Sequence, residues 1–436
     1  MPSINKLYPI LLTFIMLSVP RLAMSQYENN DDKNIRENPE ITQIDSIDCD
    51  IEIPAYINRN KNYIITNGAD WSRFSRRTVA PDTTVSIVHI GDSHIQADFA
   101  TGHARDMLQQ LYGNPGRGLI TPLKMAGTNE PRDYAITSQS RWLSSKLLKK
   151  PWSSPMGFTG VSITPKSKKC DLTIATLTKN EPEKPFNNVK ILHSGKLEIS
   201  RASVAGQPIE CDMEYGDGSA TINIPREVTE ITVEMTKENY LSIFGIVLAN
   251  TKSEGVYYHT IGNNGATYST YNAVEGMGAD VARLDPDLVI ISLGANEAFG
   301  KLSINNITDN IDLLVNDIRL HNKDATILLV TPMECQRSRI IRTKKGRRRS
   351  RNYSVNANIL PIRNAILEYG RKHNISVYDW YDIAGGQGAS GKWVKDKLMG
   401  SDRIHNTREG YRLQGQLLYE AINLSLIHIS EPTRPY

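Results

Sequence analysis

Apolar and polar positions follow two rhythms along this chain. In the first, short β-branched apolar runs alternate with stretches of helical period. The run 84–90 (Thr-Val-Ser-Ile-Val-His-Ile) ends at Gly91-Asp92-Ser93-His94, and a pattern of period 3.6 covers 99–111. The unit recurs at 287–293, followed by Gly294 and a helical pattern over 307–320. It recurs again at 325–330, followed by a strongly basic segment and a helical pattern over 356–371, and 376–380 reads as a short fourth strand. Strands that are apolar throughout need cover on both faces. Their alternation with helices predicts an α/β fold with a parallel sheet between helical layers.

The second rhythm occupies 131–252. The runs 160–165, 171–177, 189–193, 196–202, 220–224 and 230–236 are short and strand-like, with turn residues between them and no helical period. This predicts an all-β, sandwich-like insert within the α/β body. The expected organisation is a lead-in over 26–80, a first catalytic segment over 81–130, the insert over 131–252 and a second catalytic segment over 253–423.

The ends read differently. Lys6, the apolar run 7–19 and Ala23-Met24-Ser25 form an export signal over 1–25, too short in its apolar part for a good membrane span. No other apolar stretch is long enough to span, so an exported protein with no membrane span after signal cleavage is expected. The stretch 424–434 resembles the translation of a sequencing-library adapter, so 424–436 is set aside and the native end is expected beyond about Asn423.

Charge changes the picture in one place. The chain carries 51 Lys and Arg against 47 Asp and Glu. Nine of the cationic residues lie in 337–351, which holds no acidic residue, so the rest of the chain is mildly acidic. A globally cationic nucleic-acid binder is excluded. The basic segment reads as a solvated loop, with attraction to an anionic envelope polymer as its functional alternative. Four cysteines exclude a disulfide-dense scaffold. Cys170 and Cys211 both fall in the insert and could pair in an oxidising compartment; Cys49 and Cys335 lie farther apart.

Four motifs carry chemistry. Ser93 stands on a tight turn at the end of a strand, where open α/β sheets bind ligands. A serine nucleophile needs a base oriented by a third group. Asp402-Arg-Ile-His405 supplies both: a carboxylate three residues ahead on a loop can accept the Nδ1 proton and leave Nε2 free. Gly262-Asn-Asn-Gly265-Ala-Thr267 and Gly294-Ala-Asn296-Glu297 offer donors for an oxyanion. Each motif alone also reads as an ordinary turn or helix cap.

Taken in order, the four resemble the SGNH hydrolase superfamily, the GDSL esterases. The resemblance covers about 81–130 and 253–423. It implies a three-layer α/β/α parallel sheet, Ser93 as nucleophile, and a Ser93–His405–Asp402 triad. It also implies an oxyanion hole made by the Ser93 N–H, Gly265 and Asn296, with Gly265 preferred over Gly262. No metal or cofactor is implied. His94 stands where many members have Leu. The finer resemblance is to bacterial peptidoglycan O-acetylesterases, on the export signal, Gly91-Asp-Ser-His94 and the β-rich insert. It implies removal of the 6-O-acetyl group of N-acetylmuramic acid in peptidoglycan and a carbohydrate-binding-like insert. An acetylesterase or O-acetyltransferase acting on another polysaccharide would keep the same triad. A metallophosphoesterase using Asp98 and a non-catalytic glycan-binding module are the readings from other classes. Trp142, Trp152, Phe158, Tyr215, Tyr240 and Phe244 are expected to pack in the core of the insert, with sugar stacking as the alternative.

Overall fold

The computed structural model describes residues 52–177, 184–342 and 349–430. The export signal, Cys49 and the last six residues lie outside them. The strands Thr84–Gly91, Gly255–Gly262, Leu288–Ser292, Thr326–Val330 and Ser376–Tyr378 form one sheet, and every neighbouring pair is parallel. Numbered along the chain, their order in space is 2-1-3-4-5. Val289, Ile291, Ile327 and Leu329 pack into one core with residues of Met277–Ala282, Ile304–His321 and Ile359–His373. The intervening positions Ile87, Leu288, Ile290 and Leu328 are equally buried. Phe99–Tyr112, Ser72–Val79 and Arg408–Ser430 pack together as a further helical group. Burial of both faces is why these strands are predominantly apolar, and the polar exceptions Ser86 and His89 are buried with hydrogen-bond partners.

The order 2-1-3 places a switch point beside the first strand. Chain segments leaving the carboxyl ends of Thr84–Gly91 and Leu288–Ser292 diverge there and leave a crevice. Ser93 follows the first of these strands and Asn296 the second. The edge strand Gly255–Gly262 has no clear forerunner in the sequence pattern. Its residues Val256, Tyr258 and Ile261 are buried, but Tyr257, His259 and Thr260 interrupt the apolar run. The other edge, Ser376–Tyr378, is covered by a reciprocal backbone pair between Ile65 and Val377, made by the lead-in segment.

A ten-stranded, predominantly antiparallel sheet lies between Gly118 and Ala249. Its first strand, Gly118–Ile120, falls in the segment expected to be catalytic, yet it pairs with the long strand Glu230–Ala249. The runs 189–193 and 196–202 are one strand, Phe186–Val204. The apparent gap between them is Gly195, at φ +84°, where a Cβ would stand 2.1 Å from the Tyr240 carbonyl oxygen. The strand therefore bends without ending, and only glycine fits the bend. Leu147, Met156, Phe158, Leu192 and Val247 join the core of the parallel sheet, so the β-rich part is packed onto the α/β body. The Leu119 N–H also donates to His259 Nδ1 at 3.0 Å.

Two expectations, the solvated basic loop and the Cys170–Cys211 pair, differ from the structure. The basic segment is not simply a solvated loop: Gln336–Arg342 and Arg349–Val355 pair as an antiparallel hairpin, and the residues between them lie outside the described part. The residues set aside after Asn423 continue the helix Arg408–Ser430, and Leu426 is buried there. Cys170, Cys211 and Cys335 are free thiols, so the Cys170–Cys211 pair is not formed. Of the six aromatic residues, Phe158 and Phe244 are core, Trp142 and Trp152 are partly buried, and Tyr215 and Tyr240 are half-exposed. Among the described residues no helix is long and apolar enough to cross a membrane.

Candidate active site

The site is built where strand ends meet. Gly91 closes the first strand, and a Cβ there would stand 2.3 Å from Ile95 Cγ1. This close approach lets the chain turn at once into the single helical turn Ser93–Gln96. Asp92 caps that turn, its Oδ1 accepting from the His94 N–H at 2.9 Å. Ser93 is left partly exposed in the first helical position.

His405 comes from the opposite side of the crevice. Its Nε2 lies 2.8 Å from Ser93 Oγ, and its Nδ1 lies 2.7 Å from Asp402 Oδ2. Asp402 Oδ1 accepts from the backbone N–H groups of Ile404 and His405, at 2.9 and 3.0 Å. This fold-back needs Arg403 at φ +61°. The basic hairpin holds the loop: the Gln336 N–H donates to the Arg403 carbonyl, and the Tyr353 hydroxyl to the Ser401 carbonyl, each at 2.9 Å. The Arg403 guanidinium sits 4.0 Å over the Tyr353 ring. Partial burial pushes the Asp402 carboxyl up, but the hydrogen bonds from the His405 ring and the two N–H groups outweigh it, so it titrates below the ordinary carboxylate range. The carboxylate is therefore ionised wherever the imidazole is a working base.

The three expected oxyanion donors are also neighbours. Gly265 adopts φ +83°, a conformation that suits glycine. Asn296 Nδ2 donates to the carbonyl of Ala266, next to Gly265, and to Oδ2 of Asp92, next to Ser93, both at 3.0 Å. Both amide hydrogens of Asn296 are thus engaged, and one must be shared or released to reach an oxyanion. The Ser93 and Gly265 N–H groups have no acceptor among the described residues. Gly262 has another task. A Cβ on it would stand 2.4 Å from the Gln96 nitrogen, so it lets the second strand pack against the Ser93–Gln96 turn. Gln96 then fixes the second motif by accepting from the Asn264 N–H at 2.7 Å while its amide donates to Thr128 and Asn129.

Sequence reasoning missed several neighbours. His94 is 5.2 Å from His405 between ring centroids, and its Nδ1 meets the Tyr411 hydroxyl at 3.0 Å. Burial pushes its imidazole down to about 3, with the adjacent His405 acting in the same direction, so His94 is neutral. Burial also pushes Asp92 up to about 6, against the hydrogen bonds from His94 and Asn296. Leu148, from the β-rich part, would be 3.3 Å from a Cβ on Gly265, so the insert reaches the site. Asp98 is not placed as a metal ligand. It is ion-paired with Arg105 at 2.6 Å and Arg117 at 2.7 Å.

Glu297 gives a test of this electrostatic arrangement. Its Oε1 accepts from the Tyr268 N–H at 2.9 Å, its Oε2 is buried without a partner, and burial pushes it up to about 7. A carboxyl raised on folding stabilises most below its unfolded value, and that stability is lost as pH rises through the folded value. The loss therefore falls between about pH 4.5 and 7. Glu297→Gln keeps the acceptor for Tyr268 and removes the charge. Urea midpoints at pH 5 and pH 8 are expected to show the variant gaining about 2 kcal/mol on the parent at pH 8 and little at pH 5. An equal difference at both values would mean that Glu297 is not held protonated.

The GDSL-like lipase/acylhydrolase family model matches residues 228–413, a range that holds Gly265, Asn296, Asp402 and His405 but not Ser93. A solved structure of a peptidoglycan O-acetylesterase is similar over 86% of this chain and 98% of its own, with 19% identity and a TM-score of 0.64. A lipase/acylhydrolase from Enterococcus faecalis matches 42% of this chain and 81% of its own at 21% identity and a TM-score of 0.29. A GDSL-like lipase from Bacteroides thetaiotaomicron matches 39% and 76% at 18% identity, also with a TM-score of 0.29. No curated protein matches the chain. In motif and fold the chain resembles SGNH-type acylhydrolases, and its α/β sheet with an added β-rich part resembles the fold of the O-acetylesterase.

Proposed function

We propose that this chain is an exported serine esterase that removes O-acetyl groups from a cell-wall glycan. The substrate we assign is 6-O-acetyl-N-acetylmuramic acid in peptidoglycan. The observation that carries this reading is the unbroken hydrogen-bonded line from Ser93 Oγ through the His405 ring to Asp402.

The roles follow from that line. With the Nδ1 proton held on Asp402, His405 Nε2 takes the Ser93 proton as Oγ attacks the acetyl carbonyl. The Ser93 and Gly265 N–H groups and the Asn296 amide receive the charge that develops on the carbonyl oxygen. The C–O bond to the sugar then breaks, His405 returns the proton to the departing sugar hydroxyl, and an acetyl-Ser93 ester remains. Water, deprotonated by the same nitrogen, attacks that ester and frees acetate and Ser93. The β-rich strands between Gly118 and Ala249 are assigned to holding glycan near the site, which the contact of Leu148 with Gly265 supports.

The test is acetate release from O-acetylated peptidoglycan, compared with acetylated polysaccharides lacking muramic acid and with an aryl acetate. Ser93-dependent release from peptidoglycan is expected to exceed release from the other polymers. Ser93-dependent cleavage of the aryl acetate alone would keep the esterase and move its substrate to another glycan. Transfer of acetyl to a glycan acceptor in place of hydrolysis would make it an O-acetyltransferase.

A further inference from the structure

Beside the candidate triad lies a second, cation-lined cleft of about 80 Å³, between the helix Phe99–Tyr112, the first turns of Arg408–Ser430 and the segment 131–133. Part of its charge is internally settled. Arg105 is paired with Asp98 and Asp133, and Lys184 with Asp106 and Asp133. The guanidinium groups of Arg132 and Arg412 line the same cleft, as does that of Arg408, which has a partner of its own. Arg132 and Arg408 lie 5.7 and 6.0 Å from the centroid of one ring, Phe99. Arg412 is one helical turn beyond Arg408 and therefore on the same helix face. Arg132 and Arg412 have no carboxylate partner among the described residues.

Converging like charges repel, and most of all beside a low-dielectric wall such as Phe99. The arrangement is relieved by an anion with several oxygens, which guanidinium groups hold in paired hydrogen bonds. A further polar atom waits in the cleft. His103 Nε2 is buried and has no partner. Burial first, and Arg412 second, push this imidazole down, so it is a neutral ring able to donate one hydrogen bond.

We propose that this cleft is an anion subsite that takes a carboxylate or phosphate group carried on the same acetylated glycan. The inference rests on the esterase reading in taking the anion and the acetyl group to belong to one ligand. Continuity with the triad supports that link. Phe99 stacks on Tyr411, with ring centroids 6.2 Å apart. Tyr411 in turn contacts His94, and His94 packs on His405. Ala97 and Asp98, which line the cleft, directly follow the turn Ser93–Gln96, so the cleft opens next to the candidate nucleophile. The subsite would select anionic glycans over neutral ones.

The test compares kcat/KM on three acetylated ligands. One is a muramic-acid glycan with a free lactyl carboxylate, one an oligosaccharide with a phosphomonoester, and one a neutral N-acetylglucosamine oligomer. The parent is expected to prefer one anionic ligand over the neutral one by about tenfold or more, and which one identifies the anion. In the Arg132→Gln/Arg412→Gln double variant that ratio is expected to fall about tenfold, and in the Arg132→Lys/Arg412→Lys variant to be largely kept. A ratio unchanged in the Gln variant overturns the subsite, and because it is a ratio, a general loss of fold does not imitate the expected result.

Calorimetric binding of the non-acetylated anionic glycans to Ser93→Ala separates the two readings. No binding, with Ser93-dependent acetate release intact in the parent, overturns the subsite alone. Binding that needs Arg412, with no acetate release from any glycan, supports the subsite and sinks the esterase reading.

Discussion

Ser93→Ala is expected to lower the turnover of an aryl acetate on the order of 10⁵-fold, and Asp402→Asn about 10³-fold, with both proteins folded. The first figure follows from removing the nucleophile of a unit whose members act together. What survives is the rate owed to binding and oxyanion donors. The second needs more argument. An Asn at 402 still meets the His405 ring, but it offers either a neutral oxygen or an N–H. In the second case Nδ1 becomes the acceptor, and the proton moves to Nε2, where Ser93 needs a base. A fully buried aspartate of this kind costs about 10⁴-fold when so replaced. Asp402 is 47% exposed, so water can serve in part and the loss is set lower. Steady-state kinetics from pH 5 to 9 check this. The parent should show no loss from protonation of Asp402 over that range, because its carboxyl is held below the ordinary carboxylate range. A loss of less than tenfold in Asp402→Asn would leave His405 without an essential orienting group.

The geometry explains which parts of this site were legible in the sequence. Ser93, Asp402 and His405 were readable because the chemistry fixes residue types and the turns fix spacing. The Asp-x-x-His pattern can fold back only through a loop, and Arg403 at φ +61° makes that turn. The parallel sheet was readable for a different reason. Strands buried on both faces keep mostly apolar side chains on successive positions, as at 84–90 and 287–293. The strand Gly255–Gly262 escaped because it is an edge, and His259 faces Leu119 instead of a helix. Gly195 hid the continuity of Phe186–Val204, since a glycine marks a turn and a bulge with equal force.

His94 and Tyr411 lie 317 residues apart in the chain and meet only through the fold. No local pattern announces such a pair. The basic segment shows the limit from the other side. Its charge gave no sign that Gln336–Arg342 pairs with Arg349–Val355 and braces the Asp402 loop. The readable features are those in which one residue's chemistry or one strand's burial repeats at short range. The hidden ones depend on which distant segment arrives.

Arg117→Ala is expected to destabilise the protein by about 4 kcal/mol at pH 7.5. Arg117 lies at the junction of the two sheets. Its Nε and Nη2 donate to Asp133 and Asp98, each at 2.7 Å, and its Nη1 to the Leu119 carbonyl at 3.1 Å. Its side chain is 1% exposed, and those of Asp98 and Asp133 are 3% and 9%. Burial alone would push both carboxyls up. Arg105 and Arg117 outweigh it and hold both below the ordinary carboxylate range.

Removing one guanidinium leaves two buried carboxylates to share Arg105 and a Lys184 that is also paired with Asp106, and the cost of the surplus negative charge exceeds the net worth of the original pairs. The sign of the pH dependence identifies the cause. In the parent, depressed carboxyls stabilise above their unfolded values, and that stability is lost as pH falls through the folded values. In the variant, one carboxyl is raised instead, so its penalty is felt at neutral pH and shrinks as pH falls toward 4. Urea midpoints at pH 5 and 7.5 should therefore differ between parent and variant far more at 7.5. Adding Asp133→Asn to Arg117→Ala removes the surplus charge and should recover part of the loss at 7.5. A deficit that is the same at both pH values, with no recovery from Asp133→Asn, would assign the effect to lost packing against Tyr134, whose ring centroid lies 5.3 Å from the guanidinium.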